Sequence, residues 1–416
     1  MGLTSTMKNI SINKQSGAVS LFVVIFFMLL ITVVTISFLR LMVSDQQQAS
    51  NTDLSQSALD SAQAGVEDAK RALIKYQQDC SNNPANCANF GAALTTDECN
   101  AALNGISGTG AKGSNGSTAE IKVQQSISGS DVALDQAYTC VTIKLQTDDY
   151  IGSIAANQSQ LVPLFSAGAF DRVRVDWFSR EDLSTVGSDF GVNLTGVTAT
   201  HPLYTQGSWP VNRPPLMRAQ LIQFANAFNV NSFDSVSGSQ SNTATMFLYP
   251  TDEKNIGEKS FTAFDQRRTD PADEPEKKID LTTPTAVSCT PSVNAGGYAC
   301  TSMLVLPEAI GATNATDRTA FLRLVPFYNA THFKVTLWNG PVDPTNPSII
   351  PVKFKDVQPE VDSTGRANDL FRRIKSRVDL YDTSFPYPEA TIDVTGNFCK
   401  DFAVTDTRYI AGTCTP

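Results

Sequence analysis

The sequence predicts an α+β protein. A long N-terminal helix, membrane-spanning in its first half and amphipathic in its second, joins a large antiparallel β-rich, disulfide-bonded head. Three observations predict this. Residues 18–39, AVSLFVVIFFMLLITVVTISFL, are a 22-residue run without charge or proline. Leu54, Ala58, Ala62, Val66, Ala69 and Leu73 then follow at three- and four-residue steps. Beyond them the chain turns to short alternating segments punctuated by Pro, Gly, Asn and Asp, and all eight cysteines lie after the apolar run.

A helix of the apolar run spans roughly 33 Å at about 1.5 Å per residue, enough for the hydrocarbon core of a bilayer. Arg40 ends the uncharged stretch, and Leu41, Met42 and Val43 extend its apolar character. Residues 1–17 carry Lys8 and Lys14 and no acid, which puts them on the cytoplasmic side. No A-x-A cleavage site follows the run; the small residue, Gly17, sits before it. Two readings stand on topology: an uncleaved signal anchor, or a leader cut between Gly17 and Ala18 that leaves the helix on the mature chain. No proline or glycine cluster separates the run from the amphipathic stretch, so one continuous helix from about Val19 to Tyr76 is predicted.

Gly17-Ala18, the long apolar helix and then ALDSAQAGVEDAKRAL together resemble the start of PilX-type minor pilins of type IV pili. Ala58, Ala62, Ala64, Gly65 and Val66 match a family stretch similar to A-x-x-A-E-A-G-L, with Gln63 where the family usually has Glu. The K pseudopilins of type II secretion are similar over the same helix. The resemblance covers roughly residues 14–76. It implies a pilin-like fold: a cytoplasmic prepilin leader at 1–17, a transmembrane or fibre-core helix at 18–43, its amphipathic continuation at 44–79 and an exported head at 80–416. It also implies cleavage at Gly17 and Ala18 by a prepilin peptidase. The partners it implies are major and minor pilins, the inner-membrane pilus assembly machinery, and membrane lipid before assembly. Major pilins usually carry Glu as the fifth mature residue, where this chain has Phe22. That Glu is thought to neutralise a neighbouring subunit's N-terminal amine, and a carboxylate left unpaired in an apolar core is costly. A tip subunit has no such neighbour to satisfy, so Phe22 implies a minor or tip pilin. The plainer reading makes Phe22 another lipid-facing residue.

Residues 80–416 suffice for a large head or two lobes. The net charge of −9 argues against general nucleic-acid binding. An even number of cysteines on the exported side, none in a C-x-x-C pair, reads as disulfides formed in an oxidising compartment. Cys289 with Cys300, and Cys399 with Cys414, each enclose a short segment and are expected as local pairs. Cys80, Cys87, Cys99 and Cys140 are expected to pair among themselves, in an order left open. Many pilins close a terminal disulfide loop as Cys399 and Cys414 would.

Strands are predicted at AYTCVTIKLQT, RVRVDWF, MRAQLIQF, TATMFLYP, YACTSMLVLP, AFLRLVPFY and HFKVTLWNG. In the first, Val141, Ile143 and Leu145 share a face; in the second, Val173, Val175 and Trp177 do. MRAQLIQFANAF also fits a short helix through Met217, Leu221, Phe224 and Phe228. Residues 178–212 and 252–286 read as long surface loops or a small lobe. Asp270, Asp273, Glu274 and Glu276 lack the spacing and glycine of an EF-hand loop and read as solvated acids. Near the C-terminus a hairpin is predicted, with its turn at 362–368. On its second strand Arg373, Lys375 and Arg377 face one way as a basic contact stripe, with Leu370, Ile374, Val378 and Leu380 opposite. The alternative for the stripe is a solvated strand face.

No catalytic constellation emerges. The chain has two histidines, His201 and His332, too few for a convincing metal cluster or a recognisable triad, and neither a G-x-S-x-G elbow nor a P-loop. His332 is expected at a strand edge. The G-x-G-x-x-G match at Gly108, Gly110 and Gly113 sits in a Ser/Gly/Asn-rich stretch and reads as a loop between helix and strand. No cofactor or metal is predicted. The function expected is that of a minor pilin, with no enzymatic role, on a single-pass membrane protein that moves to the cell-surface pilus. The alternative is a membrane-tethered surface adhesin or hydrolase that never enters a fibre.

Overall fold

The computed structural model describes residues 17–82, 99–100, 103, 120–123, 135–183, 191–194, 206–224, 243–253, 257–261, 284–293, 297–311, 319–341 and 350–381. One helix, α1 (Gly17–Asn82), runs unbroken for 66 residues, or about 100 Å at 1.5 Å per residue. Among the described residues fourteen strands follow: β1 (Ile121–Lys122), β2 (Ala137–Thr147), β3 (Tyr150–Ile154), β4 (Gln160–Pro163), β5 (Phe170–Ser179), β6 (Leu216–Phe224), β7 (Thr243–Thr251), β8 (Lys259–Ser260), β9 (Thr285–Cys289), β10 (Tyr298–Ile310), β11 (Thr319–Phe327), β12 (Thr331–Trp338), β13 (Phe354–Ala367) and β14 (Leu370–Arg377). They form a four-stranded sheet in the order β1-β2-β13-β14. A ten-stranded sheet has the order β3-β12-β5-β10-β9-β7-β6-β11-β4, with β8 beside β10. The α+β class thus holds, as one long apolar helix and a large β-rich head.

The chain divides into two compact units. The first combines Met1–Gly65, Ala119–Cys140 and Ser363–Ile374. Its helix stretch and its β13 stretch meet at small residues. A Cβ built on Gly365 would lie 2.2 Å from the Ala62 backbone N and 2.3 Å from the Ala58 carbonyl O, so the strand touches the helix backbone itself. Ala58, Ser61, Ala62, Ser363 and Ala367 are buried beside this approach. The predicted turn at 362–368 is therefore wrong. The strand continues to Ala367 and turns at Asn368 and Asp369, with Asn368 at φ 48°. The small residues of DSTGRA resemble turn chemistry, but here they permit close packing. On the same unit Arg366 clamps Glu120 through two hydrogen bonds, 2.7 and 2.9 Å, and Asp135 through a third at 2.8 Å. Asp135 also takes Lys122, and these two hydrogen bonds hold its carboxyl below the usual carboxylate range.

The second unit combines Val66–Thr118, Val141–Asp362 and Lys375–Pro416 and carries the ten-stranded sheet. Val173, Val175 and Trp177 point into its core as predicted, as do Val335 and Leu337 of β12. MRAQLIQF is strand β6, paired antiparallel to both β7 and β11, so the short-helix alternative falls for the described residues. Alternation of Met217, Ala219 and Leu221 into the core outweighs their helical spacing. Two pairings are parallel, β7 with β9 and β8 with β10, so the sheet is mixed. The long connection between β7 and β9 is what a parallel pair requires. Part of the predicted loop at 178–212 is core: Leu183, Val192, Leu194 and Trp209 are buried, and Arg180–Asp182 forms a short 3₁₀ turn. Of the 252–286 segment, residues 262–283, with the four acids named above, lie outside the described residues, as do the Gly108–Gly113 match and His201.

Cys289 and Cys300 are bonded across neighbouring strands β9 and β10, with their Cα atoms 4.1 Å apart. Both are buried in the core. Replacing both with serine is expected to cost about 2–4 kcal/mol, read as a lowered urea midpoint for the full chain. An unchanged midpoint would mean the bridge closes a loop already ordered in the unfolded chain.

The helix stretch of this unit ends against β13. Ala69, Ala72, Leu73 and Tyr76 are buried. Tyr76 reaches the Asp356 carboxylate at 3.4 Å, and Gln77 donates to the Leu380 carbonyl at 3.0 Å. Burial pushes the Asp356 carboxyl above its ordinary value. Burial, then the nearby Asp356 charge, pushes the Tyr76 hydroxyl up to about 12. A raised folded-state carboxyl favours the folded chain when protonated. Its contribution is therefore present below the unfolded value, about 3.9, and is lost as pH rises through the folded one. Asp356→Asn should raise stability at neutral pH by roughly 1 kcal/mol, the scale of one poorly solvated polar group. Asparagine also tolerates the local φ of 57°. Unfolding curves of the two proteins should converge in acid; a gap that persists there would contradict the assignment.

Candidate functional site

The first site is the apolar half of α1. Every residue from Leu21 to Val43 is exposed, Phe22 at 75%. Among the described residues α1 is the one helix long and apolar enough to cross a membrane. The hydroxyl groups of Thr32, Thr35 and Ser37 are satisfied within the helix. Thr32 donates to the Leu29 carbonyl at 2.8 Å, Thr35 to Ile31 at 2.6 Å and Ser37 to Val33 at 2.9 Å. Such internal bonding removes the main cost of placing Ser and Thr in hydrocarbon. Gly17 and Ala18 open the helix; their side-chain surroundings, and residues 1–16, lie outside the described residues.

The expected basic stripe is largely neutralised by acids of its own hairpin and of the β2–β3 turn. Lys375 pairs with Glu360 at 3.3 Å and Asp362 at 3.7 Å, and Arg377 with Asp149 at 2.8 Å. Arg373 is exposed. Of the other expected cysteine partners, Cys99 and Cys140 are disulfide-bonded, and among the described residues no cysteine is free. Cys87, Cys399 and Cys414 lie outside the described residues, as does the side chain of Cys80.

The second site is an open depression of about 780 Å³ on the second unit, bordered by Ser153, Ser179, Glu181, Tyr298, His332 and Arg377. His332 lies at the start of its strand, as the second residue of β12 (Thr331–Trp338), and β12 is flanked by β3 and β5. Its Nδ1 lies 2.6 Å from Asp182 Oδ1, and its Nε2 lies 3.3 Å from the exposed Glu181 carboxylate. The Asp182 carboxylate also accepts the backbone N–H groups of Ser179 at 2.7 Å and His332 at 2.9 Å. It therefore closes the 3₁₀ turn and anchors the start of β12, a structural task. Tyr298 lies beneath Lys334, whose Nζ is 5.3 Å from the ring centre. Burial, reinforced by the charges of Asp149, Asp176, Asp182 and Glu181, pushes the Tyr298 hydroxyl up to about 12. No cluster of three metal-ligating side chains occurs among the described residues. No serine hydroxyl is hydrogen-bonded to His332 among them either, so the pair with Asp182 does not extend to a nucleophile.

The exposed edge of the ten-stranded sheet beside this depression is partly capped. The Gln358 amide accepts from the Ile151 N–H at 3.0 Å and donates to its carbonyl at 2.9 Å, standing in for a neighbouring strand. Asp182 and Gln358 had no sequence signal, because their partners lie 150 and 207 positions away. Gly365 had none either: within DSTGRA it reads as a turn glycine, and only the helix backbone opposite makes it a point of close approach.

Comparison with family models, with curated proteins and with solved structures finds no match to this chain.

Proposed function

We propose that this chain is a minor pilin of a type IV pilus, at the tip or at sparse positions, where it helps initiate or cap the fibre and presents its head for adhesion. The observation that carries the reading is α1: one unbroken helix whose first half is apolar and unburied while its later turns are packed. A helix of this kind is stable in lipid and equally suited to packing among other helices in a fibre core. Phe22, fully available on that surface, supplies no carboxylate for a neighbour's amine, which favours a subunit that is not the repeating one. A large β-rich head is hard to repeat at close helical spacing, and a tip or sparse position relieves that crowding.

In this reading a prepilin peptidase removes residues 1–17. The chain then waits in the membrane with its head exported until the assembly machinery adds it to other pilins. Its role is contact and assembly, with no catalytic step. Deleting the gene should reduce pilus number or attachment while the major pilin is still synthesised. Unchanged piliation and unchanged attachment would favour a membrane-tethered protein that never joins a fibre.

A further inference from the structure

We propose that the edge strand β3 accepts an extended peptide segment of a partner protein, added beside it as a further strand, and that Gln358 holds the place of that segment in its absence. β3 ends the ten-stranded sheet and pairs with β12 on one side. In an antiparallel pair the backbone alternates, one residue bonding to the neighbouring strand and the next turned away from it. The Ile151 N–H and C=O are turned away from β12, since both meet the Gln358 side chain, at 3.0 and 2.9 Å. Ser153, two positions on, is turned the same way, and its N–H and C=O have no partner among the described residues. Before Ile151, the Asp149 carbonyl is met by Arg377 at 3.5 Å. Side chains from β13 and β14 thus cover two successive positions of this edge and leave the third open.

The open position borders the depression of about 780 Å³, a volume in the range of ligand clefts. The group already seated on the edge identifies the occupant. A carboxamide that accepts from the N–H and donates to the C=O of one residue makes the two bonds that an added peptide strand makes there. The same donor and acceptor recur at Ser153, a spacing that a peptide backbone repeats and a small ion cannot. Ile151 and Ser153 share the outer face of the sheet with their partners Lys334 and His332. Ile151 is 37% exposed on that face, so a branched apolar side chain laid beside it gains cover. An uncovered edge invites indiscriminate pairing. Here a partner gains one residue of pairing at Ser153 and must displace Gln358 to gain a second. The displaced amide keeps one anchor, since its Nε2 also donates to Asp379 at 2.9 Å. The inference concerns the second unit and holds whether or not α1 enters a fibre.

The test uses the full chain in an uncharged maltoside detergent, titrated with the blocked peptide acetyl-Thr-Val-Thr-Val-Thr-amide and followed by saturation-transfer NMR. Both faces of this peptide are branched, so pairing in either direction lays a suitable side chain beside Ile151. The wild type should bind it weakly. Gln358→Ala removes the stand-in and should tighten binding about tenfold, the scale of the hydrogen bonds no longer competed for. Ser153→Pro removes the open N–H and should abolish binding; proline is tolerated on an edge strand where the N–H faces away from the sheet, and circular dichroism checks the fold. The same peptide methylated on every backbone nitrogen should not bind, a comparison that leaves the protein unaltered. Equal binding of the two peptides would overturn the proposal, because the contacts would then not be backbone pairing. So would Gln358→Ala binding no more tightly than the wild type, or no binding by either. Sedimentation of the chain alone tests the remaining occupant: a dimer that Ser153→Pro abolishes would make the added strand a second copy of this chain, and the assignment to a partner protein would fall.

Discussion

Gly365→Ala is expected to destabilise the full chain by about 3 kcal/mol, at the upper end of the cost of overpacking, and Gly365→Val by more. The added Cβ meets backbone atoms only: Ala62 N at 2.2 Å, Ala58 O at 2.3 Å and Ala62 Cα at 2.8 Å. A flexible neighbour could rotate away, but a helix backbone cannot without breaking its own hydrogen bonds. The strand must then lift from the helix, which uncovers Ala58 and Ala62, both wholly buried. Gly257→Ala is the matched control, because nothing lies within 4 Å of its added Cβ. Urea unfolding followed by circular dichroism should show a large fall in midpoint for the Gly365 variants and almost none for Gly257→Ala. Equal midpoints would mean that the helix and strand are not held at this distance.

Gly17→Val is expected to convert nearly all of the protein in cells to an uncleaved precursor. The proposed cut falls between Gly17 and Ala18, directly before the apolar run. A peptidase that accepts a residue with no side chain there has no room for a branched one. The precursor keeps Lys8 and Lys14 on the cytoplasmic side of the bilayer. Such a chain stays anchored, because drawing charged residues into an apolar fibre core is costly. Mass spectrometry of the wild type should show Ala18 at the N-terminus and of Gly17→Val should show the leader retained. Wild-type protein beginning at Met1 or Gly2 would contradict the cleavage.

The parts of this fold that were legible in the sequence are those governed by local periodicity. The helix declares itself through an uncharged run followed by steps of three and four. Strands β2 and β5 do so through Val141, Ile143 and Leu145 and through Val173, Val175 and Trp177, all buried where alternation put them. Residues whose roles depend on distant partners were misread or missed. The stretch 362–367 has the composition of a turn, and only the presence of Ala58 and Ala62 opposite makes Ser363, Gly365 and Ala367 a packing surface. Lys375 and Arg377 read as a free basic stripe because Glu360, Asp362 and Asp149 approach them through strand pairing and loop placement. His332 and Asp182, 150 positions apart, meet through a 3₁₀ turn that carries no periodic signal. Arg372 lies beside the stripe and was not singled out, although it is the residue aimed at the helix.

Quantifying the protein in sheared, purified surface fibres tests the central claim most directly. Cells are sheared, fibres are separated from membranes, and peptides of this chain are measured against those of the repeating subunit. A minor pilin should be found in the fibre fraction, beginning at Ala18, at a small fraction of the repeating subunit. Recovery only with the membranes, with none in the fibres, would contradict the account and leave α1 as a simple anchor.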